Sequence, residues 1–163
     1  MAFVGPGVGN LGVDNTWAGE TDTRPILMAL VGLKDDYTHE GAVLSELLDP
    51  REFPRSLTSP QYSRLAGIYT ALESPVGPFG LATLTLSTRA VASGSAQDDS
   101  LYQRTNTLLV NLGTQRNALG ATMIGLLEGA AFSGEAIPPP EAASFTVQGD
   151  ALLRQVQQVA DML

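Results

Sequence analysis

Cysteine is absent from this chain of 163 residues. Without a thiol, the chain forms no disulfide, supplies no cysteine ligand to zinc and performs no thiol catalysis. The absence does not identify the compartment, because reducing and oxidising surroundings both tolerate a cysteine-free chain.

Basic residues are also scarce. One lysine and eight arginines stand against 17 acidic residues, which gives a formal net charge of −8. The cations are scattered along the sequence and form no basic stripe. Because nucleic-acid binding depends on clustered positive charge that neutralises phosphates, we expect no nucleic-acid partner.

Long apolar runs and a leader segment are missing as well. The longest nearly apolar run, from Ala118 to Phe132, contains Glu128 and is shorter than the roughly 20 residues that a membrane-spanning helix requires. The first residues contain no basic stretch followed by an apolar one, so no signal peptide is visible. The sequence therefore predicts no membrane span and leaves the localisation unknown.

Aromatic residues make up only 6% of the chain, whereas hydrophobic residues as a whole make up 44%. A core dominated by Ala, Leu and Gly suits closely packed helices better than a β-sandwich, which needs more β-branched and aromatic side chains. We therefore predict a mainly α fold, in which a small N-terminal strand-loop-helix remnant of an α/β sheet precedes an antiparallel helical bundle.

Proline and glycine divide the chain into three parts. Pro50 and Pro54 interrupt the apolar pattern, so the predicted parts are a terminal α/β segment at 1–50, a linker at 51–59 and a helical bundle at 60–163. The first part is predicted to contain a strand at residues 2–4 and helices at 25–32 and 41–48. A lone strand needs a sheet to pair with, and the chain does not obviously supply one.

Apolar residues at helical spacing predict four helices in the bundle, or three if the first two merge into one bent helix. The predicted starts are Ser59-Pro60, Gly77-Pro78, Asp98-Asp99 and Glu141, and the predicted ends are residues 73, 93, 132 and 163. A heptad-like seam runs from Tyr102 to Ala130, and the last helix has a stripe of Leu152, Val156, Val159 and Leu163. Three glycines in the longest helix, each costing about 1 kcal/mol relative to Ala, predict close approach of a neighbouring helix at Gly113, Gly120 and Gly125.

His39 is the only histidine. A Ser-His-Asp triad would have to use it together with Ser45 or Ser56. The G-x-S-x-G turn that usually presents a nucleophilic serine is absent. We therefore predict that His39 is an exposed turn residue.

The acidic and glycine-rich stretches are weak candidates for ligand sites. Asp35, Asp36 and Glu40 could bind a hard cation such as Ca²⁺, but the EF-hand spacing is absent and a solvated turn explains them better. Asp98 and Asp99 fit a helix start. Gly5 to Gly12 lacks the lysine of a phosphate-binding loop.

The remaining charged residues predict structural ion pairs. Arg116 lies on the apolar seam, where it is expected either to extend its charged end to solvent or to pair with an acid of a neighbouring helix. Arg51 is expected to form surface pairs with Glu46 or Asp49, and Asp22 with Arg24 to fix the loop at a helix start. We therefore assign no catalytic, cofactor-binding or metal-ligating residue to this chain.

Two segments resemble the C-terminal region of a bacterial branch of the alkaline-phosphatase superfamily, the type I phosphodiesterase or phosphatase-like hydrolases. The first is Val4 to Leu48, where Asp22 and Pro25 match an Asp-x-x-Pro motif at the start of the helix that closes the α/β sheet. The second is Pro75 to Gly134, which is similar to the helical extension after the catalytic fold. Together they cover most of the chain in the family's order.

The resemblance implies a non-catalytic C-terminal portion of a metal-dependent phosphoester hydrolase, with a structural or interaction role. Divalent metals such as Zn, Mn or Ca are implied only for a full-length relative, because one histidine cannot supply the family's ligands. Glu20, Ile26 and Ala42 replace His, Thr and Arg of the family pattern, which fits a segment without a catalytic role. The implied partner is the rest of the hydrolase. The alternative is a free-standing helical module for protein–protein interaction or self-association through the seam and the C-terminal stripe.

Overall fold

The computed structural model describes residues 2–15, 18–34, 36–93 and 99–162, and it is mainly helical, as predicted. The five α-helices are α1 (Thr23–Leu30), α2 (Pro60–Glu73), α3 (Pro78–Ser93), α4 (Ser100–Phe132) and α5 (Pro139–Met162). Short 3₁₀ turns occupy Glu20–Asp22 and Ser45–Leu47. Three residues singled out from the sequence lie outside the described part of the chain, namely Asp35, Asp98 and Leu163.

The N-terminal segment differs from its prediction in two places. Residues 2–4 form no strand, and the pairing present is a single antiparallel bridge between Val8 and Leu48. Residues 41–48 form no α-helix, only the 3₁₀ turn that follows a buried stretch of coil at 42–44. The apolar residues of this stretch matched a helical period, but they are buried by packing of the coil against the bundle.

Local signals define α2 and α3. The Ser59 hydroxyl oxygen accepts a hydrogen bond from the Tyr62 N–H at 3.1 Å, and Pro60 occupies the first turn, as the sequence predicted. The helix ends at Ser74, whose carbonyl accepts a bond from the Gly77 N–H, and α3 begins at Pro78. The two prolines, Pro75 and Pro78, prevent one continuous helix because proline has no N–H to donate.

The helices α2 and α3 lie in tandem along α4 and α5. The end of α2 contacts the middle of α4, where Glu73 lies beside Arg116. Gly149 of α5 packs against Ile68 of α2, and further along the same helix the Ala160 carbonyl accepts a bond from Arg89 of α3. Four separate helices therefore pack as three rods, one of them bent, and α4 alone is about 50 Å long.

The core lies between these rods, and the predicted seam on α4 forms part of it. Among the seam residues, Thr105, Leu112, Met123 and Ala130 are buried, and Tyr102 is exposed. Leu152 and Val156 of the C-terminal stripe are buried as well. In the described part of the chain, no helix combines the length and the hydrophobicity that crossing a membrane would require.

Only some of the helix glycines lie where a side chain of a neighbouring helix comes close to the backbone. A Cβ at Gly120 would collide with the Glu73 carboxylate, and a Cβ at Gly149 with the Ile68 side chain. Gly113 and Gly125 face open space, so the prediction of close contact is wrong there.

Candidate functional site

The loop before α1 is held by a buried carboxylate. Asp22 is 1% exposed, and its two oxygens accept hydrogen bonds from the N–H groups of Gly19 (2.7 Å) and Ala42 (2.9 Å). Gly41 lies so close to the backbone of Thr21 and Asp22 that any side chain there would collide with it. Asp22 therefore fixes the loop at the helix start by joining residues 19 and 42.

Burial alters the acidity of the carboxyl groups near this loop. Burial raises the pKa of Asp22 above its usual value, and the two backbone hydrogen bonds oppose that change only in part. The pKa of Glu46 is raised mainly by burial and further by the negative charges of Asp14 and Asp22. Ionisation of these two carboxyl groups therefore lowers the stability of the folded segment.

His39 is buried, with 4% of its surface exposed, so the prediction of an exposed turn residue is wrong. The side chain of Glu128 on α4 accepts two hydrogen bonds from this residue at one oxygen, Oε1. The backbone N–H of His39 donates at 2.6 Å, and ring atom Nδ1 donates at 2.9 Å. The imidazole also lies against the ring of Phe132, with 5.4 Å between centroids. This contact joins the N-terminal segment to the end of α4.

Two further hydrogen bonds hold the junction, by which we mean the contact between the N-terminal segment and the helical bundle. The Tyr69 hydroxyl of α2 donates to the Glu40 carbonyl at 2.8 Å, and the Lys34 ammonium donates to the Ser133 hydroxyl at 2.8 Å. Burial raises the pKa of Tyr69, which keeps its hydroxyl a donor at ordinary pH. The junction therefore consists of hydrogen bonds that join the N-terminal segment to α2 and to the end of α4.

Two open grooves border the junction, with volumes of about 650 and 250 Å³. His39 and Tyr37 line both of them. The larger groove is lined by acidic and aromatic residues of the segment and of α2 together with the small residues Gly120 and Ala121 of α4. Its carboxylates make it a negatively charged surface.

Arg116 pairs with an acid of a neighbouring helix, which is one of the two arrangements expected for it. Its Nε lies 3.6 Å from Glu73 Oε2, and its guanidinium carbon lies 5.6 Å from the centre of the Phe79 ring. Burial raises the pKa of Glu73, and the charge of Arg116 lowers it by a smaller amount. Arg116 therefore contacts both the end of α2 and the start of α3.

The other charged residues singled out in the sequence have different local surroundings. Asp49 and Arg51 form the expected surface pair at 2.7 Å, which lowers the pKa of Asp49 to about 2. The Arg24 guanidinium lies 5.0 Å from the centre of the Tyr37 ring. Asp36 is exposed, and Asp99 begins α4 without a side-chain capping bond.

In the described part of the chain, His39 is bonded to Glu128, and the two serines considered for a triad have surroundings of their own. Of the serines considered for one, Ser45 shares a hydrogen bond with Ser63 at 2.8 Å, and Ser56 has a buried hydroxyl. The acid that contacts His39 is Glu128, which the sequence analysis had not paired with it. A signal was present, because Glu128 is the only charge in the apolar run 118–132, and a lone carboxylate in such a run needs a partner.

The divalent metals implied for full-length relatives would need several His, Asp or Glu ligands close together. Across 2–15, 18–34, 36–93 and 99–162, no three His, Asp or Glu side chains lie where they could hold a metal ion together. Three carboxylates near the junction have partners of their own: Asp22 accepts from backbone N–H groups, Glu128 accepts from His39, and Glu73 pairs with Arg116.

A second feature of the N-terminal segment is its apolar surface. Val4 is 96% exposed and Val13 is 88% exposed. On α1 and the turn after it, Leu27, Val31 and Leu33 each expose half of their surface or more. The inner face of the same helix is buried at Pro25 and Ile26. One side of this segment is therefore packed on the bundle, and the other side presents large apolar residues to solvent.

The comparisons with known proteins assign no family to this fold and junction: no protein-family model, no curated protein and no solved structure matches the chain.

Proposed function

We propose that this chain is the non-catalytic C-terminal portion of a metal-dependent phosphoester hydrolase. In this proposal residues 1–50 dock on a sheet that the rest of the hydrolase supplies, and the bundle at 60–163 stabilises the assembly or binds a partner. The family is suggested by the resemblance of Val4–Leu48 and Pro75–Gly134 to the alkaline-phosphatase superfamily.

The observation that supports docking is the outward apolar surface of the N-terminal segment. Leu27, Val31 and Leu33 are exposed on a segment whose other side is held firmly by Asp22 and His39. Large apolar patches on a protein surface often mark sites of interaction with other proteins. A sheet face is a suitable partner, because α/β folds cover their sheets with amphipathic helices.

The docking test examines the native polypeptide in extracts of the source cells. Antibodies raised against this chain should detect a polypeptide much larger than 17.1 kDa, and peptides upstream of Met1 should contain the Asp and His ligands of a two-metal site. In that polypeptide, Val31→Glu should reduce the yield of folded enzyme by placing a charge in the docked face, whereas Val147→Glu on the exposed side of α5 should not. A sole species near the mass of this chain would contradict docking within one polypeptide.

The catalytic test uses the purified chain. We expect no hydrolysis of phosphate monoesters or diesters in the presence of Zn²⁺, Mn²⁺ or Ca²⁺, because no three His, Asp or Glu side chains of the described residues lie where they could hold a metal ion together. Turnover that rises linearly with chain concentration and disappears with EDTA would overturn the non-catalytic role.

The alternative is a free-standing helical interaction module, and one observation bears on its surface. Leu112 and Met123 of the seam on α4, and Leu152 and Val156 of the C-terminal stripe, are buried inside the chain. Self-association would therefore need another face of the bundle.

A further inference from the structure

We draw no further inference here: the strongest candidate, the open groove of about 650 Å³ between the N-terminal segment, α2 and α4, is a cluster of acidic residues (Asp36, Glu40 and Glu73) beside two tyrosines, and nothing in the described part of the chain shows which ligand it would bind.

Discussion

At the scale of single residues, the helix glycines have two different roles in the same bundle. Gly149 lets α5 approach Ile68 of α2, and Gly120 leaves room for the Glu73 carboxylate. Gly113 and Gly125 touch nothing at the position where a Cβ would stand. Sequence alone could not separate these cases, because the four glycines have similar helical surroundings and the difference lies in the neighbouring helix.

This contrast predicts opposite effects of the same substitution. Gly149→Ala should lower the free energy of unfolding by about 1–3 kcal/mol, because the added methyl group overpacks the contact with Ile68. Gly113→Ala should raise it by up to about 1 kcal/mol, because alanine is the better helix former and meets open space. Urea denaturation of the two variants measures both values. Equal effects of the two changes would show that helix approach does not distinguish these positions.

At the scale of secondary-structure elements, the helices of the bundle and α1 were predictable, whereas the coil at 2–4 and the coil and turn at 41–48 were not. The boundaries of α2 and α3 follow from residues next to them in sequence, namely Ser59-Pro60 and Gly77-Pro78. The coil at 42–44 and the burial of His39 depend instead on contacts with Asp22 and with Glu128, 89 residues further along the chain. Local periodicity contains no information about such partners.

The contact between His39 and Glu128 predicts how the segment is held on α4. Glu128→Ala should lower the free energy of unfolding by about 2–3 kcal/mol, because it leaves two buried donors of His39 without their acceptor. His39→Ala should cost less from lost hydrogen bonding, because its backbone N–H still reaches Glu128. Chemical denaturation of both single variants and the double variant measures the coupling between the residues.

The control for this cycle is Glu52→Ala, which removes an exposed carboxylate and should change the free energy of unfolding by less than about 0.5 kcal/mol. Additive effects of the His39 and Glu128 variants would contradict a direct contact between them.

At the scale of the whole molecule, the burial of carboxylates in an acidic chain makes stability depend on pH. The pKa values of Asp22, Glu46 and Glu73 are all raised, mainly by burial. The folded chain therefore binds more protons than the unfolded chain between the ordinary and the raised pKa values, so stability falls as pH rises through that window. Mild acidification also reduces the repulsion that accompanies the net charge of −8.

Glu46→Gln tests the first of these contributions. The variant should be more stable than the wild type at pH 7, because it removes a charge that burial disfavours. The gain should disappear below pH 4.5, the ordinary pKa of the group, because Glu46 is then protonated in both states. Urea titrations at both pH values measure the difference, with the exposed Glu52→Gln as the control. A gain that persists at low pH would indicate a packing effect.

The link between residues 39 and 128 also has a consequence for synthesis on the ribosome. The N-terminal segment is made before the helix that binds it, because Glu128 follows His39 by 89 residues. His39, which is buried in the finished fold, therefore lacks the Glu128 acceptor until α4 has left the exit tunnel. The nascent chain can complete its N-terminal fold only after most of the bundle has been made.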